Sequence, residues 1–458
     1  MENTNNPRIS FFGAARTVTG SNFLLQNKSG SEKILIDCGL FQGGRVGERK
    51  NRDPFPYEPS SAQALFVTHA HIDHTGRIPK LVREGFRGKI YSTPPTKELA
   101  QAMLLDSMRV LEKEANEDNL PPLYDEHDVA KTLELWEAVP YHSEVTVGKE
   151  FRAIFKDAGH VLGSAMIEFT HQGKKIVFTG DLGNSPAPLL RDTETITDAD
   201  YLIMEAVYGD RNHEAKNERK SKLEDVIEDT ISRGGVLMIP AFSLERTQDL
   251  LFEFNELIEN NRIPKVPVFL DSPLAIKLTE VYRKNEEYFN KETKHEIRTG
   301  DDIFKFPMLT FTLNSKDSMA IKNVKNPKVI IAGGGMSNGG RILHHERNYL
   351  PDPKSTLLLV GYQAVGTIGR ALAEGAKEVT VKGERIPVRA RVVVIEGYSA
   401  HKDSDALFHF VENTADSVKK VFLVHGELKS LLFFAQKVRD YLGVNAVVPA
   451  EGATVELL

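Results

Sequence analysis

The first two hundred residues alternate short apolar runs with Gly, Asn and Asp punctuation. RISFFGAA (8–15), SNFLLQN (21–27) and KILIDCG (33–39) read as consecutive strands of a meandering sheet. ALFVTHAH (64–71) is a further run of strand formers, and TGRIPKLVREG (75–85) then shows helical spacing at Ile78, Leu81 and Val82 before Gly85. PPTKELAQAMLLDSMRVLEKEAN (94–116) and DEHDVAKTLELWEAV (125–139) predict two longer helices. EFRAIFKDAG (150–159), SAMIEFT (164–170), KKIVFTGD (174–181) and DYLIMEA (200–206) predict strands again.

From about Tyr208 the pattern changes. Helix KLEDVIEDTISRG (222–234) leads to strand GVLMIPAF (235–242), and helix LERTQDLLFEFNELIEN (244–260) leads to PVFLDSP (267–273). PLAIKLTEVYRKNEEYF (273–289), KVIIAGGG (328–335) and TLLLVGYQ (356–363) continue the alternation, which predicts a parallel α/β sheet. After about residue 390, RVVVIEGYSAH (391–401) and VFLVHGE (421–427) return to strands that end in histidine, as in the first part. The chain therefore reads as one domain in two pieces, 1–207 and 391–458, with an α/β block at 208–390 inserted between them.

Composition narrows the class. A chain of 458 residues exceeds the usual size of one hydrophobic core. With 41% hydrophobic and 27% charged residues it fits a globular protein. MENTNNPRIS has no basic start followed by an apolar run, and no stretch approaches the roughly 20 apolar residues of a membrane span. A cytoplasmic protein with no membrane partner is the expectation. The single cysteine, Cys38, excludes an internal disulfide and a cysteine-built zinc site. Net charge is −6, which on its face disfavours a nucleic-acid partner. Two bound divalent ions would reduce it to −2, concentrated at one spot, so global charge does not decide the question.

VTHAHIDHTG (67–76) is where chemistry enters. His69, His71, Asp73 and His74 are either a polar turn or half of a metal site awaiting distant partners. The same grammar, a strand ending in a polar ligand beside Gly, recurs at Asp37, His160, Asp181, Glu205, His401 and His425. Imidazole and carboxylate are what zinc accepts when no thiolate is available. Two ions about 3.5–4 Å apart need roughly seven ligands, one of them a bridging carboxylate. His69, His71 and His160 can serve one ion, Asp73, His74 and His425 the other, and Asp181 can bridge. The expected cofactor is two Zn2+ per chain.

These motifs together resemble a known family. HxHxDH, the His of GH, the Asp of TGD and the late His of VHG form the pattern of the metallo-β-lactamase fold. EAVYGD (205–210), GYSAH (397–401) and LVHGE (423–427) are similar to the three additional motifs of the β-CASP nucleases, which include ribonuclease J and the cleavage subunit of the messenger-RNA 3′-end machinery. IPAFSLERTQDLL (239–251), FLDSPLA (269–275), GGGMSNGGR (333–341) and GYQAVGTIGR (361–370) resemble the inserted domain of that family. The resemblance implies an α/β protein, a metallo-β-lactamase αββα sandwich carrying an inserted parallel α/β β-CASP domain that forms a cleft for single-stranded RNA. It departs from the family where Ala206 and Val207 follow Glu205 in place of the frequent Ser-Thr, and it has no room for an RNA-binding KH module or the oligomerising C-terminal domain of ribonuclease J.

The resemblance also implies roles. Asp37 would orient ligands and the attacking water from behind the site. Asp73 would act at the metal centre, and His401 would protonate the leaving O3′ with Glu205 holding its ring. The expected activity is zinc-dependent hydrolysis of RNA, internally or from the 5′ end, leaving a 5′-phosphate and a 3′-hydroxyl. AGGGMSNGG (332–340) reads either as a phosphate cradle or as a plain Gly-rich turn. On the first reading Gly334, Gly335, Ser337 and Arg341, with Ser399, contact RNA. The basic stretch RNHEAKNERKSK (211–222) has interleaved acids and reads as a solvated face. Histidines without a motif, such as His142, His171 and His345, read as ordinary surface or core residues. Two further classes stay open: another hydrolase of the same fold, such as a thioesterase, and a catalytically silent RNA-binding subunit. A homodimer also stays open.

Overall fold

The meander predicted at the start is one edge of a seven-stranded sheet. Arg8–Phe11, Phe23–Gln26 and Lys33–Ile36 are antiparallel neighbours, with Ile9 opposite Leu25 and Leu24 opposite Leu35. In the computed structural model, which describes residues 6–458 apart from 44, 215, 362 and 365, the sheet order is Thr454–Glu456, Arg8–Phe11, Phe23–Gln26, Lys33–Ile36, Ala64–Phe66, Lys89–Ser92 and Trp136–Ala138. Positions 1–5, Ala215 in the basic stretch, and Tyr362 and Val365 of GYQAVGTIGR thus lie outside the described residues. A second seven-stranded sheet runs Ala446–Val447, Lys420–Val424, Tyr201–Glu205, Lys174–Phe178, Ala165–His171, Phe151–Asp157 and Glu144–Val147.

The period-2 pattern decides which side chains fill the space between these sheets. Phe11, Phe23, Ile34, Ile36 and Phe66 from the first meet Phe155, Phe169, Phe178, Ile203 and Phe422 from the second. Phe66 and Phe169 lie 5.0 Å apart edge to face, and Phe11 and Phe422 5.4 Å apart. The opposite face of the second sheet, with Val177, Leu202, Met204 and Leu423, is covered by Leu407 and Phe410 of helix Ser404–Glu412 and by Leu431, Phe434 and Val438 of Leu428–Leu442. Helices Ile78–Arg83, Pro94–Glu117 and Glu126–Leu135 belong to the first sheet's side, where Pro94–Glu117 contacts the edge strand Trp136–Ala138. This is the four-layer αββα order expected.

One helix is shorter than its spacing predicts. DEHDVAKTLELWEAV is helical from Glu126 to Leu135, with Asp125 and Asp128 forming a capping box. It then turns into the edge strand Trp136–Ala138, because the Trp136 indole is buried and donates to Ser92 Oγ at 2.8 Å.

Compact packing divides the chain into a unit of residues up to Asn212 plus His401–Leu458, and a unit His213–Ala400. The alternation in sequence put these boundaries at 207/208 and 390/391. The second unit holds a six-stranded sheet in the order Leu309–Phe311, Val268–Asp271, Lys328–Gly333, Val236–Ala241, Thr356–Leu359, Arg391–Val394. Every pairing in it is parallel, as the helix–strand alternation predicts. The strand Arg391–Val394, read as the return to the first domain, instead pairs with Thr356–Leu359 in this sheet. Its run of valines states that it is a strand and not which sheet it joins. A separate hairpin pairs Glu378–Val381 with Glu384–Pro387 and buries Val379, Val381 and Ile386. No helix of the described residues is long and apolar enough to cross a membrane.

Candidate metal centre

The site is built from strand ends of the first unit. Ala64–Phe66 is buried throughout, and the chain leaves it through Val67 and Thr68 into His69, Ala70 and His71. His71 then caps the single helical turn Ile72–Thr75, which carries Asp73 and His74. A β-carbon on Gly39 would sit 1.5 Å from the Asp73 carbonyl oxygen, so only glycine lets this turn approach the loop after Lys33–Ile36. Likewise a β-carbon on Gly183 would meet the Gly159 carbonyl oxygen at 1.8 Å, which allows the loops carrying Asp181 and His160 to touch. His425 follows Lys420–Val424 with φ of 48°, and its amide donates to Ala14 O.

These loops bring the predicted donors into two adjoining groups, His69, His71, His160 and Asp181, and Asp73, His74 and His425. In the first group His69 Nε2 lies 3.0 Å from His71 Nδ1, and His160 Nε2 lies 3.3 Å from the same atom. Asp181 Oδ2 is 3.5 Å from His69 Nε2 and 3.6 Å from His160 Nε2. Its other oxygen, Oδ1, is 3.5 Å from both His74 Nε2 and His425 Nε2. Asp73 Oδ2 completes the second group at 3.9 Å from His74 Nε2 and 3.6 Å from His425 Nε2. Asp181 thus presents one oxygen to each group.

These distances fit an ion at each centre. Donors about 2.0–2.1 Å from a tetrahedral zinc stand roughly 3.3 Å from one another. Ring nitrogens buried in pairs at such spacing face one another with lone pairs unless something positive lies between. His74 Nε2 and Asp181 Oδ1 are buried with no hydrogen-bond partner, a cost that a cation removes.

Burial and neighbouring charges act on these groups in different directions. Burial pushes His69 well below its usual value, and the neighbouring His74 adds to this. Burial also takes His425 down to about 3. Uncharged imidazole is the form that ligates a metal. Burial opposes charge on His74 too, but Asp181 and Asp37 on its two sides outweigh it and raise the ring. Asp181 is opposed by burial yet held well below the usual carboxylate range by His425, His74 and His69. Burial lifts Asp73 to about 6.

Asp37, at φ 56°, stands behind this centre. Its Oδ2 is 2.7 Å from His74 Nδ1, which fixes that ring so that Nε2 faces Asp73 and Asp181. Its Oδ1 accepts the Thr68 amide at 2.8 Å. Thr68 was not singled out in the sequence. Its buried hydroxyl touches Asp37, His69 Nδ1 at 3.1 Å and His74 Nδ1 at 3.3 Å, and its only signal is its place directly before HxHxDH.

Glu205 and His401 form a third group with Asp181. Glu205 ends Tyr201–Glu205, is fully buried, and its Oε1 accepts from His401 Nδ1 at 3.0 Å and from the Leu182 amide at 2.7 Å. Glu205 Oε1 is thus engaged by two donors at once. Burial lowers His401, but Glu205 outweighs it and the ring rises to about 9. His401 pairs with Gly183 in an antiparallel bridge, and its ring lies 4.7 Å from that of His160. Lys402, also missed in the sequence, is buried and donates from Nζ to Gly183 O at 2.8 Å, which pins this crossing. Where the family has Ser-Thr, Ala206 N donates to Val424 O and Val207 N to Glu205 Oε2.

The other expected contacts are in the second unit. Gly334, with φ of 116°, and Gly335 follow Lys328–Gly333. Ser337 is buried at φ 56° with its hydroxyl on Glu346. Arg341 Nη1 donates to Asp271 Oδ1 at 2.7 Å and to Thr312 O at 2.9 Å. His345, read as an ordinary histidine, is buried with Nε2 on Asp271 Oδ2 at 2.8 Å. Ser399 closes a turn by donating its amide to Glu396 O.

Comparison with known proteins gives three family matches: the metallo-beta-lactamase superfamily over residues 16–232, the Beta-Casp domain over 247–372, and the Zn-dependent metallo-hydrolase RNA specificity domain over 385–449. The chain is 36% identical to ribonuclease TTHA0252 of Thermus thermophilus, over 93% of this chain and 94% of that one. It is 33% identical to the transcription termination factor FttA of Methanosarcina mazei, over 98% and 72% of the two chains. An RNase J-like protein of Methanocaldococcus jannaschii is 32% identical over 98% and 99%. A crystal structure of a protein of unknown function from Enterococcus faecalis V583 shares the fold, with a TM-score of 0.56 at 13% identity, covering 98% of this chain and all of that one.

Proposed function

The chain belongs to the β-CASP family of metallo-β-lactamase-fold RNA nucleases, and from that premise we propose that it hydrolyses single-stranded RNA with two zinc ions. The products are a 5′-phosphate and a 3′-hydroxyl. The observation that carries this reading is the position of Asp181, whose two oxygens each face a separate cluster of donors at 3.5–3.6 Å.

His69, His71, His160 and Asp181 would hold one ion, and Asp73, His74, His425 and Asp181 the other. A zinc pair held by these residues would supply a water activated near neutral pH and would offset charge on the non-bridging phosphate oxygens. Asp37, on Nδ1 of His74, would hold that ring with Nε2 toward the ion. His401, cationic through its contact with Glu205, gives a proton to the departing O3′. Because Glu205 occupies Nδ1, the proton delivered comes from Nε2. That pair is also what a thioesterase or a silent subunit would not need.

A second reading draws on the resemblance to FttA, a transcription termination factor. The chain spans about 70% of those relatives and nearly all of the Thermus ribonuclease. Metal analysis, followed by incubation with labelled single-stranded RNA and with a thioester, tests the proposal. About two zinc ions per chain and chelator-sensitive RNA cleavage with 5′-phosphate ends are expected. Full cleavage by metal-free protein, or turnover of the thioester alone, would overturn it.

A further inference from the structure

In the second unit three parallel strands end side by side, with Val236–Ala241 between Lys328–Gly333 and Thr356–Leu359. From Val236–Ala241 the chain moves through helix Arg246–Glu259 to Val268–Asp271, on one side of the sheet order. From Thr356–Leu359 it moves to Arg391–Val394, on the other side. Connections that diverge from two adjacent parallel strands open a crevice at the strands' carboxyl ends, and ligands of open α/β sheets bind there.

Phe242 is the first residue past Val236–Ala241 and stands at this crevice. All six residues of the strand are buried, whereas Phe242 is 38% exposed. Its ring lies against two glycines that follow the flanking strands. A β-carbon on Gly335 would be 2.8 Å from Phe242 Cδ2 and 2.9 Å from Cε2, and one on Gly361 would be 3.5 Å from Cε2. Any side chain at 335 would displace the ring. Gln363 ties the two glycine segments together, donating from Nε2 to Gly335 O at 2.9 Å and Gly361 O at 3.1 Å. Thr247 pins the Phe242 backbone, its amide and hydroxyl donating to the Phe242 carbonyl at 3.3 and 2.8 Å.

An aromatic ring set against two glycine segments and partly exposed leaves apolar surface in water. It has no part in the metal centre or the proton relay. Such a ring is what proteins offer to a base of a single strand, since every base has a π-face and stacking tolerates any sequence. We propose that Phe242 is a stacking platform for one nucleobase of the RNA substrate. This rests on the RNA-cleaving reading and adds a positioning residue to it.

The test compares the metal-loaded parent enzyme with Phe242→Leu and Phe242→Trp on a single-stranded oligoribonucleotide and on a nitrophenyl phosphodiester, which has no base. Stacking of one base supports about a tenfold rise in KM for RNA in Phe242→Leu, with kcat changed less than twofold. The phosphodiester rate should stay at the parent's, and Phe242→Trp should restore the RNA KM. With the parent enzyme, an abasic nucleotide moved along the oligonucleotide should raise KM about tenfold at one position, and Phe242→Leu should be insensitive there. Equal KM for parent and Phe242→Leu, equal losses on both substrates, or an abasic scan of the parent with no sensitive position would overturn the platform. The parent scan decides the matter even if Phe242→Leu does not fold. A parent that cleaves the phosphodiester but no RNA would instead overturn the ribonuclease reading, and the platform with it.

Discussion

Glu205 Oε1 lies 3.0 Å from His401 Nδ1 and at the same time accepts the amide of Leu182, the neighbour of Asp181. One buried carboxylate oxygen therefore fixes both the proposed acid and the loop of the proposed bridging ligand. If His401 is the general acid, His401→Ala should keep its zinc content and lose about 10²–10⁴-fold in kcat on RNA. A nitrophenyl phosphodiester, whose leaving group needs no proton, should recover much of that rate. Loss of zinc from His401→Ala, measured by metal analysis, would make it a ligand.

Glu205→Gln should resemble His401→Ala in zinc retention, because the amide still accepts at one atom but no longer favours the cationic ring. The descending limb of its kcat–pH profile should move to lower pH than in the parent, toward the ordinary histidine value near 6.5. An unmoved limb would remove Glu205 from the proton relay.

Asp181→Ala should cost more than any single histidine. The remaining donors would face two dications with no anion between them, so close to two zinc ions per chain should fall to one or none, with activity lost. His425→Ala should lose zinc from one centre only. Metal stoichiometry after dialysis separates the two outcomes, and full retention by Asp181→Ala would contradict the bridge.

Much of this candidate centre is legible in the sequence because its proposed ligands are local to strand ends. HxHxDH places four donors within six residues, and the Gly beside Asp181, His160 and His425 marks each turn. What sequence leaves out depends on distant contacts. Thr68 matters through Asp37, and Lys402 through Gly183, 219 residues away. The Ser337 and Arg341 side chains are engaged by Glu346 and Asp271, the latter 70 residues away, which a Gly-rich run does not encode. Strand identity was readable at Arg391–Val394, yet its sheet was not, since a valine run fits either.

Asp37→Ala removes no ligand and should nonetheless weaken metal binding. It frees His74 Nδ1 and leaves the Thr68 amide without its acceptor. Loss of a carboxylate behind a ligating histidine typically costs about 10–100-fold in metal affinity. Zinc release to a competing chelator should accelerate accordingly, and unchanged release would assign Asp37 to folding alone.

The last prediction concerns acid stability of the second unit. Asp271 is completely buried and accepts from His345 Nε2, Arg341 Nη1, Thr312 Oγ1 and Ser318 Oγ at 2.6–2.8 Å. Burial alone would raise its carboxyl, but these four donors outweigh burial and hold it below the usual range. A carboxyl whose folded pKa is depressed contributes stability in full above its unfolded value, near 3.9, and loses it as pH falls through the folded one. The contribution should therefore be intact at neutral pH and decline below about pH 4. Asp271→Ala removes the buried acceptor that His345, Arg341, Thr312 and Ser318 share, at a cost of about 3 kcal/mol. Below pH 4 the gap between parent and variant should narrow, because the parent is then losing the same contribution. Thermal melts of both proteins from pH 7 to pH 3 measure this, and a gap constant across that range would show that Asp271 acts by shape and not by charge.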